Sequence, residues 1–387
     1  MLEDLLRESK EFPHQEIGVR VASSMFAALA YRQPQHPSIH EWAERALSYT
    51  KASQDIDIRI WVLFIQVFLE VGLGNLDQAA FALDTLLRST RSGKASPFAQ
   101  ITVKMAAAIY YQTTGYHEKC MKAVSDGLEL SRTSGIHFCK PALLAHAILS
   151  SLNINDSQTA RQLLEELASG VEKSELSGDL FLTRDRHIYH FMSAREALIR
   201  GDLGQALLHI DPALKFGMET GSPVIIGWTH ALRALIKHSL GKNSEAIEEL
   251  DRTSDIAHQM KSNLLEFNVL LSRAQFAFDE GNESSGLALL RKALTLGRDQ
   301  RMLSTHLDQP SATASLCVKA LEAGIEVEYV QETIQRRGLI PDKPPLHLGK
   351  AEGDVVDGVE LIWKTTETNL YLNVAKNLVI RTWVNRS

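Results

Sequence analysis

The chain is poor in cysteine, with only Cys120, Cys139 and Cys317 among 387 residues. Three scattered thiols are too few for a disulfide framework or a zinc cage, and they fit a reducing compartment. Long apolar runs are also missing. The longest, from Ile60 to Val71, is interrupted by Gln66 and Glu70 and is too short and too polar to span a bilayer. The first ten residues carry acidic side chains where a secretory signal needs a basic and then an apolar stretch. A cytoplasmic protein without a membrane partner is expected. There is no excess of positive charge: 41 Lys and Arg stand against 47 Asp and Glu, a formal net charge of −6 spread along the chain. That excludes the electrostatic footprint of a nucleic-acid binder, so no direct nucleic-acid contact is expected. The local signatures of catalysis are absent too. No His-Glu-x-x-His or Cys-x-x-Cys occurs, and no Gly-x-Ser-x-Gly elbow. A non-enzymatic protein with no metal and no cofactor is the expectation.

What the chain does have is a beat of about forty residues. Small residues that favour a turn stand at Gly74, Gly115, Asn155, Gly201, Gly241 and Gly281, in steps of 41, 40, 46, 40 and 40. Five residues after each comes a small side chain: Ala79, Cys120, Ala160, Ala206, Ala246 and Gly286. Nine after each comes an aliphatic one, Leu83, Val124, Leu164, Ile210, Leu250 and Leu290, and seven before lies Val67, Ala108, Ile148, Ala194, Ala234 or Ala274. A fixed period of this length marks a stacked helical array. Each repeat reads as two antiparallel helices joined at the anchor, where a left-handed backbone turn disfavours a Cβ. The small residue at +5 lets the second helix approach the first, and the aliphatic at +9 lies one turn further along that face. Asp77, Asp202, Asn243 and Asn282 are expected to cap second helices.

Before the first anchor, helices are expected at about 14–31, 39–52 and 55–73, with Pro34 and Pro37 separating the first two. After the last anchor come two shorter helices, near 310–324 and 326–337, divided by Gly324 and stopped by Gly338 and Pro341. The helical domain thus spans 1–341. A linker rich in Pro and Gly is expected over 342–358. Residues 359–387, dense in β-branched and aromatic side chains, read as a small β-meander tail.

The Gly-to-Ala spacing of five, with Ala seven residues before the Gly, resembles the skeleton of a tetratricopeptide repeat. The longer period is similar to the superhelical sensor region of MalT-like bacterial regulators, which are signal-transducing ATPases that activate transcription. The stretches that carry this resemblance are His40–Leu47, Asp126–Leu130 and the run from Val318 to Pro341, which includes Leu321-Glu322-Ala323-Gly324-Ile325. It covers about 14–341. It implies an all-α, right-handed superhelical solenoid of antiparallel helix pairs, acting as a binding or sensor module in bacterial transcriptional signalling. The family's other functions do not carry over. Its phosphate-binding loop, Gly-x-x-x-x-Gly-Lys-Ser/Thr, is missing: Gly241-Lys242 is followed by Asn243, and Gly349-Lys350 by Ala351. The 46 residues after Pro341 are expected to be too few for the family's winged-helix domain.

In tetratricopeptide geometry the first helix of each pair lines the concave face. Counting from the anchors places Trp61, Phe64, Gln112, Arg195, Trp228, His238, Asn268 and Gln275 at exposed inner positions. Aromatics beside polar side chains suit a groove for a protein partner or a small effector. Trp61, Phe64 and Trp228 also read as inter-repeat core, the commoner place for aromatics at helical spacing. A plain protein–protein scaffold with no small effector is the alternative function, and an enzyme whose site assembles from distant positions is a third reading. The densest polar cluster, Arg184-Asp185-Arg186-His187-Ile188-Tyr189-His190, puts two imidazoles at i, i+3. Two alone do not make a zinc site, and the stretch reads as a helix start with an exposed basic face. Arg336-Arg337, in the last turn before Gly338, reads as a match to the helix dipole.

Overall fold

The computed structural model describes residues 14–339, apart from 53–54, 91–93, 178–181 and 308. The expected linker over 342–358 and meander over 359–387 lie outside these residues. The described chain forms sixteen α-helices in eight antiparallel pairs. The first helices of the pairs are α1 (Gln15–Arg32), α3 (Ile56–Leu73), α5 (Pro97–Thr113), α7 (Lys140–Asn153), α9 (Leu182–Ile199), α11 (Pro223–Ser239), α13 (Asn263–Asp279) and α15 (Pro310–Glu322). The second helices are α2 (Ile39–Ala52), α4 (Leu76–Ser89), α6 (His117–Ser134), α8 (Ser157–Ser177), α10 (Leu203–Thr220), α12 (Asn243–Met260), α14 (Glu283–Gln300) and α16 (Val327–Arg337).

Every anchor of the forty-residue beat adopts the left-handed backbone that the turn needs, including Asn155 at φ 63°. The beat also runs one step further than the six anchors read from sequence. Gly324, at φ 62°, joins α15 to α16 as a further pair of the same kind. Ala79, Cys120, Ala160, Ala206 and Ala246 are all fully buried between the helices of their pairs. Burial pushes the Cys120 thiol up to about 12, as fits a packing role. Of the four expected caps, two form: Asp202 accepts from the Gln205 N–H at 3.0 Å, and Asn282 from that of Ser285 at 3.2 Å. The other two side chains bond elsewhere. Asp77 pairs with Arg301 at 3.2 Å, and the Asn243 amide donates to Glu280 at 3.0 Å.

Each first helix from α3 through α13 packs on both helices of the pair before it. Between α11 and α12 the contact is partly ionic. Burial alone would raise the Glu249 carboxyl, but hydrogen bonds from His230 (2.6 Å) and Lys237 (2.8 Å), with Arg233 beside them, bring it down to about 2.

The stack also returns on itself. Helix α13 touches α3, and α11 touches α1. The Ser262 hydroxyl donates to the Gly72 carbonyl at 2.7 Å, and Arg336 lies over the Tyr116 ring at 4.4 Å. At Gly74 an added Cβ would come within 2.7 Å of the Leu264 amide nitrogen. The later pairs therefore rest on the turns of the earlier ones, and the inner faces of α5, α7, α9, α11 and α13 border a narrow central groove. Arg336 thus bridges two repeats as well as facing the end of its own helix.

Candidate functional site

The central groove is built by the first helices and is filled from within. Between α14 and α15 the chain takes nine residues, 301–309, where the connections at 221–222 and 261–262 take two. Met302, Leu303, Ser304, Thr305 and Leu307 are all buried. The base of this segment is held by the Tyr329 hydroxyl, which donates to the Met302 carbonyl. Its tip crosses the groove. The Gln112 amide from α5 donates to the Thr305 carbonyl at 3.4 Å. The Asn153 amide from α7 donates to the same carbonyl at 3.2 Å and to the Ser304 hydroxyl at 2.5 Å. Arg195 from α9 is 1% exposed and donates to the Asn153 side-chain carbonyl at 2.5 Å, which orients the amide. The His306 ring stacks on Trp228 of α11 with centroids 4.6 Å apart and lies 6.4 Å from the ring of His146.

Burial in this centre favours the neutral form of its two imidazoles. Burial pushes the His146 imidazole down to about 4. It pushes His306 down to about 3, with His146 and Arg195 adding to the effect, although part of the residue reaches solvent. Two neutral imidazoles, the carboxamides of Gln112 and Asn153, the Ser304 hydroxyl, the Trp228 indole and the buried Arg195 guanidinium can form hydrogen bonds and pack against flat groups. They supply no charged nucleophile.

The eight inner positions read from sequence divide into two groups. Gln112, Arg195, Trp228, Asn268 and Gln275 converge on the 302–307 segment or the small void beside it. Four of these are not exposed as expected: Gln112, Arg195, Trp228 and Asn268 are 1–6% exposed, because the segment covers them. The remaining three sit apart. Phe64 is buried and Trp61 half-buried, in a row with Phe98 at centroid separations of 5.5 and 6.4 Å. His238 stacks on Phe276 at 3.8 Å and its Nε2 bonds Asp279 at 2.9 Å, so it faces the neighbouring repeat and not the segment. Sequence reasoning missed Asn153, His146 and the 302–307 segment. The available signal was the connection before Pro310, which is the longest between the pairs.

The histidine pair of α9 has structural partners. His187 is buried with Nδ1 3.0 Å from the Ala213 carbonyl oxygen, and His190 has Nδ1 3.0 Å from the Nδ1 of His209. Ser222 occupies the N-cap position of α11, and Ser311 lies inside the first turn of α15.

Two solved structures resemble the chain over nearly its whole length. A Rap protein complexed with competence and sporulation factor matches with a TM-score of 0.58 and 12% identity, over 96% of this chain and 98% of that one. NprR in complex with its cognate peptide NprX matches with a TM-score of 0.51 and 13% identity, over 93% of this chain and 99% of that one. At such identity the likeness is one of fold, and it places the chain among tetratricopeptide-like helical solenoids. No protein-family model matches the sequence, and no curated protein does.

Proposed function

We propose that the chain is a non-catalytic receptor that holds a linear peptide, free or part of a protein, in its central groove. One observation carries this reading. The carboxamides of Gln112 and Asn153, on different helices, converge on a single main-chain carbonyl. Side-chain amides that grip backbone are suited to an extended peptide, whose carbonyls recur whatever its sequence. The carboxamide, imidazole and indole groups around that carbonyl suit the same ligand class. The cognate peptide held by the similarly folded NprR supports the choice.

Stacked repeats touch mainly their neighbours, so small rotations between them sum to a change in curvature. A peptide that favours one curvature shifts the population toward it and presents a different outer surface to a partner. The resemblance to MalT-like sensor regions suggests a bacterial transcriptional setting for that partner, in the cytoplasm and without direct contact with nucleic acid. The test is a pool of short linear peptides passed over the immobilised chain, with retained sequences measured again by calorimetry. At least one sequence class should bind, and Asn153→Ala should weaken it by about tenfold, the loss of one or two hydrogen bonds. Retention of no peptide, or binding indifferent to Asn153, would count against the receptor.

A further inference from the structure

The 302–307 segment has the contacts of a ligand, yet it belongs to the chain. Its Thr305 carbonyl takes two carboxamides, its Ser304 hydroxyl takes a third hydrogen bond, and its His306 ring covers Trp228. Its fit is incomplete. The Nδ2 of Asn268, on α13 and 3% exposed, has no hydrogen-bond partner among the described residues. It borders a void of about 30 Å³ beside Thr305 and Leu307. An amide buried without a partner is costly. A further carbonyl along an extended chain would satisfy it.

Resting on the peptide-receptor reading, we propose that Ser304–Leu307 is a built-in occupant of the peptide site, and that an activating peptide binds by displacing it. Met302 and Leu303 stay packed at the base, with Tyr329 on the Met302 carbonyl, so the tip swings out and the fold stays intact. The displacing ligand has a small hydroxyl residue followed closely by an aromatic or imidazole side chain for Trp228. It extends one residue further to present a carbonyl to Asn268. A tethered occupant competes at high effective concentration. It also lowers the apparent affinity of any external ligand by the fraction of molecules in which it has left.

The test uses the intact chain and an N-terminally fluorescein-labelled, C-terminally amidated peptide with the sequence of residues 301–307, read by anisotropy. The intact chain should bind it weakly. His306→Ala, which removes the stack on Trp228, should bind it about tenfold more tightly, and Ser304→Ala should shift affinity the same way by a smaller factor. Adding Asn153→Ala to His306→Ala should return binding to the weak level. If His306→Ala does not fold, Ser304→Ala carries the comparison alone. Folded variants that bind no more tightly than the intact chain would overturn the proposal. A peptide selected from the pool separates this failure from that of the receptor. Equal binding of it to all three proteins, lost on Asn153→Ala, keeps the receptor and removes the built-in occupant. Binding of neither probe to any of them removes both.

Discussion

Two anchor glycines with the same backbone conformation meet different surroundings, and that difference measures how the solenoid closes on itself. Gly74 and Gly241 have φ of 82° and 75°. An added Cβ at Gly241 meets nothing within 4 Å, whereas at Gly74 it would lie 2.6 Å from Met302 Cε and 2.7 Å from the Leu264 nitrogen. Gly241→Ala should therefore cost only the left-handed backbone, about 1–2 kcal/mol. Gly74→Ala should cost that plus overpacking. The Met302 methyl can move, but the Leu264 amide is fixed in the first turn of α13, so a further ~1–3 kcal/mol is expected. Urea denaturation of the two variants and the parent, followed by helical circular dichroism, gives the comparison. Equal slopes with a lower midpoint for Gly74→Ala would place the difference in stability. Equal midpoints for the two variants would mean that α3 and α13 do not touch in solution, and the closed groove would fall with that contact.

Ala246 is fully buried at the +5 position, so Ala246→Leu should cost on the order of 1–3 kcal/mol; an unchanged denaturation midpoint would contradict the register. Trp228→Ala should lower stability by roughly 3–5 kcal/mol as a buried aromatic, and peptide binding measured on the folded fraction should fall as well; loss of stability alone would make Trp228 purely core. Stability should decline on acidification. The depressed imidazoles of His146, His187 and His306 leave the unfolded chain to take protons first below its ordinary histidine range of about 6.5. Their contribution is present above that range and lost as pH falls toward about 4, at up to ~1.4 kcal/mol per pH unit for each. Glu249 adds loss in the same direction from its ordinary range down to about 2. Melting temperatures that stay level from pH 7 to about 5 would contradict this. Gly297→Ala should loosen the groove segment from its base, since an added Cβ would crowd the Tyr329 hydroxyl and lie 2.8 Å from Phe267 Cε2; faster hydrogen exchange at Met302–Thr305 is the expected sign.

The solenoid was legible because its determinants are local. A left-handed turn, a small residue five positions later and an aliphatic one nine later are each demanded by one helix pair, so Gly241, Ala246 and Leu250 reveal their geometry within ten residues. Gly324 was read as a divider between terminal helices, since Tyr329 stands in the small-residue slot and hides the next repeat. The site was legible only in part. Counting from anchors placed Gln112, Arg195, Trp228 and Asn268 on the inner face, where the structure has them, because that position is set by helical phase. It could not find that Thr305 and His306 lie against them, since the sequence separation of 193 residues between Gln112 and Thr305 is bridged by the circuit of the whole superhelix. Nor could phase tell Trp61, packed between Phe64 and Phe98, from residues facing the centre.

Hydrogen exchange of the intact chain, with and without a peptide selected for binding, tests the central claim most directly. Protection should rise on α5, α7, α11 and α13 and fall at Ser304–Leu307. Protection rising instead on the outer helices α6, α10 and α12, with the groove unchanged, would contradict the account.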